Sequence, residues 1–250
     1  MKDIRKIFTV AENKEVSPRT FLMRLKGDVA EVSAPGQFVN IAIPGKYLRR
    51  PISIHRCLKD ENELQLLYKV AGEGTELLSA IASGEKLDIL IPLGNGFSIP
   101  DQINSPLLLG GGIGAAPLMQ LALDLVSAGK KPQVILGYNT VEESWGMVKE
   151  LRNLGIATYI ATLDGTEGTK GFVTDVIREH DIKFDYFYAC GPMPMLKALK
   201  DLPQEGEMSL ECRMGCGFGA CVCCSIQTRQ GAKRICKDGP VFKASDLIWD

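Results

Sequence analysis

The sequence predicts a multidomain protein of β and α/β architecture, with an antiparallel β-barrel, a Rossmann-like parallel α/β domain and a small C-terminal cysteine-rich domain. Three observations support this prediction. Short β-rich runs separated by turn formers occupy residues 1–98, strands alternate with helices over residues 99–205, and most of the cysteines fall within residues 206–250. The chain has 250 residues, 45% of them hydrophobic, which suffices for two or three small cores.

The barrel is predicted from short runs that are rich in β-branched and aromatic residues. These runs are Phe21–Leu25, Phe38–Ile43, Ile52–His55 and Leu64–Val70. Glycine, proline and asparagine turns separate them, and strands at this spacing are typical of a small antiparallel barrel. One short helix is expected at Thr75–Ser83.

The second segment predicts a parallel sheet, because apolar strands alternate with helices there. The expected strands are Pro106–Leu109, Val134–Leu136, Ala157–Ala161 and Tyr186–Ala189. The expected helices are Pro117–Ala128, Val148–Leu154 and Val173–His180. The remaining C-terminal segment has little room for a core of its own, so we expect a metal or a partner to hold it.

Charge and hydropathy exclude several functional classes. The formal net charge of −1 gives no electrostatic footprint for nucleic acid. No apolar run approaches the roughly 18 residues that a membrane span needs. The first ten residues alternate charged and apolar side chains and lack the core of a signal peptide. We therefore expect a cytoplasmic protein without a membrane span.

The strongest motif is a cysteine cluster near the C-terminus. Cys216, Cys221 and Cys224 are spaced C-x4-C-x2-C, and Cys236 follows after eleven residues. This spacing is that of plant-type [2Fe–2S] proteins, in which four thiolates hold two irons. The glycines within the motif let the loop wrap closely around a cluster. The motif therefore predicts these four cysteines as metal ligands.

Two alternatives remain open at this cluster. A structural zinc site is one, although such sites usually have paired C-x2-4-C knuckles and only one pair is evident here. Cys212 and Cys223 are also spare, and either could replace one of the four ligands. Cys223 adjoins Cys224, so its side chain is expected to point away from the cluster.

Two segments of the barrel have the composition of a flavin site. Arg50 and Ser53 lie on one predicted strand, and an arginine beside a hydroxyl can hold a pyrophosphate and a flavin edge. Downstream, Gly74-Thr75 opens a helix whose backbone N–H groups can face phosphate. Thr75 is expected to be the N-cap. Taken alone, this glycine turn is as often an ordinary helix cap.

A glycine-rich loop, Gly110–Pro117, joins a predicted strand to a helix, as a dinucleotide-binding loop requires. Gly112 and Gly114 are its candidate contacts. Pro117 occupies the third glycine position of the usual motif, where it favours the first helical turn. A plain tight turn between a strand and a helix is the alternative.

A second motif follows the last predicted strand. Cys190 and Gly191 begin it, and ligands of such sheets gather at the carboxyl ends of the strands. Cys190 is expected near a nicotinamide, with a buried core cysteine as the alternative. The segment Gly137–Thr140, after the second strand, offers no basic side chain for a 2′-phosphate, which favours NAD over NADP.

The order of these motifs resembles the ferredoxin-reductase superfamily. Within it, the chain is similar to the PyrK family, the electron transfer subunits of class 1B dihydroorotate dehydrogenase (NAD⁺). The resemblance implies the same four cysteine ligands, and it implies NAD(H) as the exchange partner. It also implies FAD, bound by Arg50, Pro51, Ile52, Ser53, Leu67, Tyr68, Lys69, Gly74 and Thr75.

The resemblance further implies a catalytic partner subunit that holds FMN and binds dihydroorotate, in a heterotetramer of two copies of each. Electrons would pass from this partner through the cluster and FAD to NAD⁺ in pyrimidine biosynthesis. No group here looks like the base for dihydroorotate, so no catalytic residue is assigned and the chain alone is expected not to oxidise it. Two alternatives remain: a reductase subunit of another complex, such as a hydrogenase, and a zinc-stabilised module without enzymatic activity.

Overall fold

A computed structural model describes residues 4–249, and its N-terminal part is a closed six-stranded barrel. The barrel strands are β1 (Arg5–Ser17), β2 (Thr20–Lys26), β3 (Phe38–Ile41), β4 (Arg50–Leu58), β5 (Glu63–Lys69) and β6 (Lys86–Leu93). They close in the order β1-β2-β5-β4-β3-β6, and every neighbouring pair is antiparallel. The predicted antiparallel barrel is confirmed. Helix α1 (Glu73–Ser79) follows β5.

Alternation of side chains along the strands fills the barrel. In β3, Val39 and Ile41 are fully buried in the barrel core, together with Leu66 from β5. Phe38 and Asn40 therefore point to the opposite face, where Phe38 packs in a different core that includes Cys224. One strand thus serves the barrel on one side and the cysteine segment on the other.

The second part is a mostly parallel sheet covered by helices on both faces. Its elements are β7 (Leu107–Gly111), α2 (Leu118–Ser127), β8 (Gln133–Tyr138), α3 (Met147–Asn153), β9 (Ala157–Thr162), β10 (Thr169–Lys170), α4 (Val173–Glu179), β11 (Phe187–Cys190), α5 (Met193–Ala198) and β12 (Gly206–Ser209). The strand order β10-β9-β8-β7-β11-β12 is parallel throughout, which confirms the Rossmann-like α/β fold. Among residues 4–249, no helix is both long and apolar enough to cross a membrane.

The C-terminal segment leaves this sheet and returns to it. It contains the hairpin β13 (Ser225–Thr228) and β14 (Gly231–Arg234), and it ends with β15 (Val241–Lys243), which pairs antiparallel with β12. The Leu210 N–H donates to the Pro240 carbonyl at 2.9 Å, where the two ends of the excursion meet. The C-terminal strand therefore packs on the chain's own sheet.

Strand β4 ties the barrel to the α/β part. His55 Nδ1 lies 2.7 Å from the Ala116 carbonyl, which can only accept, so this nitrogen carries the proton. The Cys57 N–H donates to Gln120 Oε1 at 3.0 Å. Burial lowers the pKa of His55, so its imidazole is neutral in the fold. These contacts fix the strand that carries Arg50–Ser53 against the glycine loop.

A buried carboxylate on β5 makes the barrel sensitive to pH. Glu63 is fully buried, and Arg24 binds both of its oxygens, at 2.8 and 2.9 Å. Lys26 Nζ lies 3.0 Å from the same carboxylate. The Arg24 guanidinium lowers the pKa of Glu63 to about 2. The ionised form therefore stabilises the fold above the ordinary pKa of 4.5, and this contribution is lost as the pH falls toward 2.

We expect Glu63→Gln to lower the free energy of unfolding at pH 7 by roughly 1–3 kcal/mol, because it removes the buried carboxylate that accepts from the partly exposed Arg24 and Lys26. The difference from wild type should shrink as the pH falls below about 4.5, measured by urea denaturation followed by circular dichroism. Glu61→Gln is the matched control, since Glu61 is exposed and 3.8 Å from Lys26 Nζ. Equal stability of the two variants at pH 7 would contradict the assignment.

Candidate functional site

The two predicted flavin segments lie together in the structure. The Arg50 guanidinium rests against the first turn of α1, so closely that a Cβ on Gly74 would overlap its Nε. Arg50 Nη1 also donates to the Leu48 carbonyl at 2.7 Å. Since only glycine leaves room for the guanidinium, the arginine and the helix start form one cradle, which suits a diphosphate.

The hydroxyl of Thr75 has a local role that differs from the predicted one. Helix α1 begins at Glu73 with Gly72 as its N-cap, so the expectation that Thr75 is the N-cap was wrong. Thr75 Oγ1 accepts from the Ala71 and Gly72 N–H groups at 2.9 and 3.2 Å, and it donates to the Gly72 carbonyl at 2.9 Å. The side chain closes the turn beside Arg50, and its contact with FAD stays a prediction.

Side chains alternate between the two faces of β4 and β5, so some of the other flavin candidates face the barrel core and the rest face outward. Tyr68 is buried in the barrel core, and its hydroxyl donates to Asn13 Oδ1 at 2.9 Å. Ile52 also packs against that core. The alternate positions, which point away from the barrel interior, are Pro51, Ser53, Leu67 and Lys69. A ligand on the outer face would therefore meet these four side chains, and Tyr68 only through its backbone.

A cavity of about 360 Å³ opens at the carboxyl ends of the parallel strands. Its lining includes Gly111, Gly112, Tyr138, Glu143, Phe172 and Met195. This is the place where open α/β sheets bind ligands. The lining contains an acidic residue and no basic one, as expected for a dinucleotide without a 2′-phosphate.

The glycine loop and the Cys190 motif pack directly on one another. A Cβ on Gly114 would lie 2.7 Å from both the Cys190 carbonyl and the Gly191 Cα. Gly112 lines the cavity, whereas Gly114, Cys190 and Gly191 are not part of its lining. Burial raises the pKa of Cys190 to about 12, so its thiol is protonated. Its proximity to the nicotinamide stays a prediction.

Glu143 was not identified from the sequence, although it joins the barrel to this cavity. Its Oε1 accepts from Lys69 Nζ at 2.9 Å, and its Oε2 accepts from the Asn139 N–H and Nδ2 at 3.2 and 3.0 Å. These bonds lower its pKa although burial opposes them. No motif marks Glu143, because its role depends on a contact between two distant segments.

The four predicted cysteine ligands lie in two pairs. Cys224 Sγ and Cys236 Sγ are 3.3 Å apart, and both residues are buried. The Cys221 N–H donates to Cys216 Sγ at 3.4 Å. Two thiolates for each of two irons is the arrangement that a [2Fe–2S] cluster uses. Burial raises the pKa of the Cys216 thiol, but hydrogen bonds from backbone N–H groups outweigh it and lower the pKa to about 6.

The two spare cysteines differ from each other. Cys223 is exposed, and its Sγ contacts the Arg213 carbonyl at 3.7 Å, the carbonyl that Cys212 Sγ also contacts at 3.3 Å. Burial and the neighbouring Cys224 raise the pKa of Cys212 to about 11, so Cys212 lies beside the second pair. Within residues 4–249, no three Cys, His, Asp or Glu side chains converge as a single metal ion requires.

The cysteine loop is held against the barrel. Asn40 Nδ2 on β3 donates to the Cys216 carbonyl at 3.2 Å, and Asn95 Nδ2 after β6 donates to the Lys237 and Asp238 carbonyls at 3.1 Å. Strand β4, which carries Arg50–Ser53, is the neighbour of β3. The thiol pairs, the arginine cradle and the cavity thus have the chemistry for a cluster, a flavin and a dinucleotide, and strands β3 and β4 connect the first two.

Comparisons with known proteins agree with this arrangement. Residues 211–248 match the family model described as the iron-sulfur cluster binding domain of dihydroorotate dehydrogenase B. The chain is similar to the dihydroorotate dehydrogenase B (NAD(+)) electron transfer subunits of Geobacillus sp. (strain WCH70) and Fusobacterium nucleatum. It is 45% identical to the first over 251 residues, covering 96% of this chain and 97% of the relative. It is 43% identical to the second over 252 residues, covering 96% of each.

Solved structures show the same fold. The NADH-dependent reduced ferredoxin-NADP oxidoreductase matches with a TM-score of 0.88 and 29% identity, covering 97% of this chain and 90% of that one. Phthalate dioxygenase reductase matches with a TM-score of 0.62 and 20% identity, covering 78% and 63%. The second likeness concerns the fold alone.

We expect Gly74→Ala to weaken FAD binding roughly tenfold, because the added methyl displaces the Arg50 guanidinium. The matched control is Gly72→Ala, since a Cβ at Gly72 meets no atom within 4 Å and its φ of 177° is extended. Fluorescence titration of the apoprotein with FAD measures both. Equal affinities for the two variants would exclude the cradle as the flavin site.

Single replacements Cys216→Ser and Cys224→Ser should each abolish the iron and acid-labile sulfide that anaerobic reconstitution introduces. Cys223→Ser should retain both, because that side chain is exposed and is not one of the four predicted ligands. Metal analysis and visible absorption provide the measurement. Loss of the cluster in the Cys223 variant, with retention in the Cys224 variant, would require a different ligand set.

Proposed function

The chain belongs to the electron transfer subunits of dihydroorotate dehydrogenase B (NAD⁺), and we propose that dihydroorotate is oxidised in a separate catalytic subunit. As a member of this family, it is an oxidoreductase subunit that carries FAD and a [2Fe–2S] cluster and exchanges electrons with NAD. Its part in pyrimidine biosynthesis is to carry electrons between the catalytic subunit and the nicotinamide.

One observation carries this assignment at the level of residues. Asn40 pairs with Pro51 across β3 and β4, and it donates to the carbonyl of Cys216. The side chain of Asn40 therefore ties a proposed cluster ligand to the strand that pairs with the proposed flavin strand. This contact supports placing FAD and the cluster side by side.

The proposed cofactor sites follow from this contact. Arg50 and the turn at Gly74 would hold the FAD diphosphate, and the two thiol pairs would hold the irons. When bound, the flavin supplies the conversion between hydride transfer to the nicotinamide and single-electron transfer to the cluster. The residues of this chain would orient the groups, and the buried side chains around Cys224 and Cys236 would shield that side of the cluster from water.

The proposed partner is an FMN-containing dihydroorotate dehydrogenase catalytic subunit, in an assembly of two copies of each chain in the cytoplasm. Phe218 and Val222 on the cysteine loop are 48% and 75% exposed. Large exposed apolar side chains beside an electron-transfer centre are suited to docking a protein. They support a partner that covers the loop.

A reductase subunit of another complex is the second candidate. The 29% identity to the NADH-dependent reduced ferredoxin-NADP oxidoreductase over 97% of the chain favours it. The higher identity to the dihydroorotate dehydrogenase subunits, 45%, favours the first proposal.

We expect the isolated chain to reduce an artificial dye with NADH and to show no reduction of NAD⁺ by dihydroorotate. Removal of FAD should abolish dye reduction, whereas Cys224→Ser, which lacks the cluster, should retain it. Co-expression with the FMN-containing catalytic subunit should restore coupling of dihydroorotate to NAD⁺, followed at 340 nm. Dihydroorotate oxidation by the isolated chain, or no coupling with the partner, would refute the proposal.

A further inference from the structure

Asn40 is a buried amide on the outer face of the barrel. Its neighbours Val39 and Ile41 fill the barrel core, so Asn40 points the other way, yet it is only 1% exposed. A buried amide normally has hydrogen-bond partners for its oxygen and its nitrogen. The two ends of this side chain therefore indicate what lies against β3.

The nitrogen end is bound to the cluster loop. Nδ2 donates to the Cys216 carbonyl at 3.2 Å. The next residue, Gly217, has a φ of +78°, and a Cβ there would overlap Nδ2. Glycine thus permits both the left-handed backbone and the close approach. The loop is shaped to rest on this amide.

The oxygen end, Oδ1, is buried and has no hydrogen-bond partner among the described residues. An amide oxygen only accepts, so its partner must be a donor. Thiolates and inorganic sulfides have no proton to donate, and a cluster therefore cannot satisfy it. The isoalloxazine N3–H and the ribityl hydroxyls of FAD are donors, and Asn40 lies opposite Pro51 of the flavin segment.

We propose that Asn40 is a positioning residue that links the two cofactors. Its Nδ2 holds the backbone of the Cys216 ligand, and its Oδ1 accepts a hydrogen bond from the bound flavin. This inference rests on the proposed function, in which Arg50–Ser53 bind FAD and Cys216 is a cluster ligand.

The test compares Asn40→Leu, which removes both polar atoms, with Asn40→Asp, which keeps an acceptor and loses the donor. Asn153→Leu is the control, since Asn153 is exposed at the end of α3. Asn40→Leu should weaken FAD binding roughly tenfold, as expected for one lost hydrogen bond. It should also change the electron paramagnetic resonance spectrum of the reduced cluster and slow cluster reduction by NADH. Asn40→Asp should bind FAD normally but show the altered spectrum.

Each half of the proposal can fail separately. Wild-type FAD affinity in Asn40→Leu would overturn the bond to flavin and indicate water at Oδ1. A wild-type resonance spectrum in both variants would overturn the hold on Cys216. If Asn40→Leu does not fold, the resonance spectrum of Asn40→Asp tests the hold of Nδ2 on Cys216. FAD titration of Asn40→Ser then tests the hydrogen bond from the flavin to Oδ1. Failure of the proposed function itself would appear first in the wild-type protein, as absence of FAD or iron.

Discussion

The alternation of side chains along β3 is the constraint on which the rest of the structure depends. Val39 and Ile41 must enter the barrel to fill its core, which leaves Phe38 and Asn40 to face the cysteine segment. A shift of one residue in register would reverse both faces. The apolar content of the barrel therefore fixes, at the same time, where the cluster loop can rest.

The same coupling of packing to function recurs between the barrel and the α/β part. His55 on β4 reaches the glycine loop at Ala116, and Lys69 on β5 reaches Glu143 at the cavity. Each contact joins a strand that flanks the proposed flavin site to the wall of the dinucleotide site. The relative placement of the two proposed cofactor sites thus depends on a few hydrogen bonds between the barrel and the α/β part.

Much of the fold can be predicted from the sequence, because strand composition and motif spacing are local signals within one segment of the chain. β-rich runs marked barrel strands β2 to β5, whereas no run was assigned to β1 or β6, and the C-x4-C-x2-C spacing marked the loop in which the thiols meet. Strand β15 has no local signal in the sequence, since its three residues pair with β12, more than thirty positions earlier. Asn40 and Glu143 were missed for a related reason. Their importance comes from neighbours that only the folded chain supplies, whereas the cysteine spacing lies within one continuous segment.

The return of the chain to its own sheet has a consequence for how the cysteine segment is held. Strands β12 and β15 anchor its two ends, and the Leu210 N–H donates to the Pro240 carbonyl where these ends meet. The segment is therefore a closed loop on a β-sheet base, and the chain between residues 210 and 240 limits how far its thiols can lie from that base.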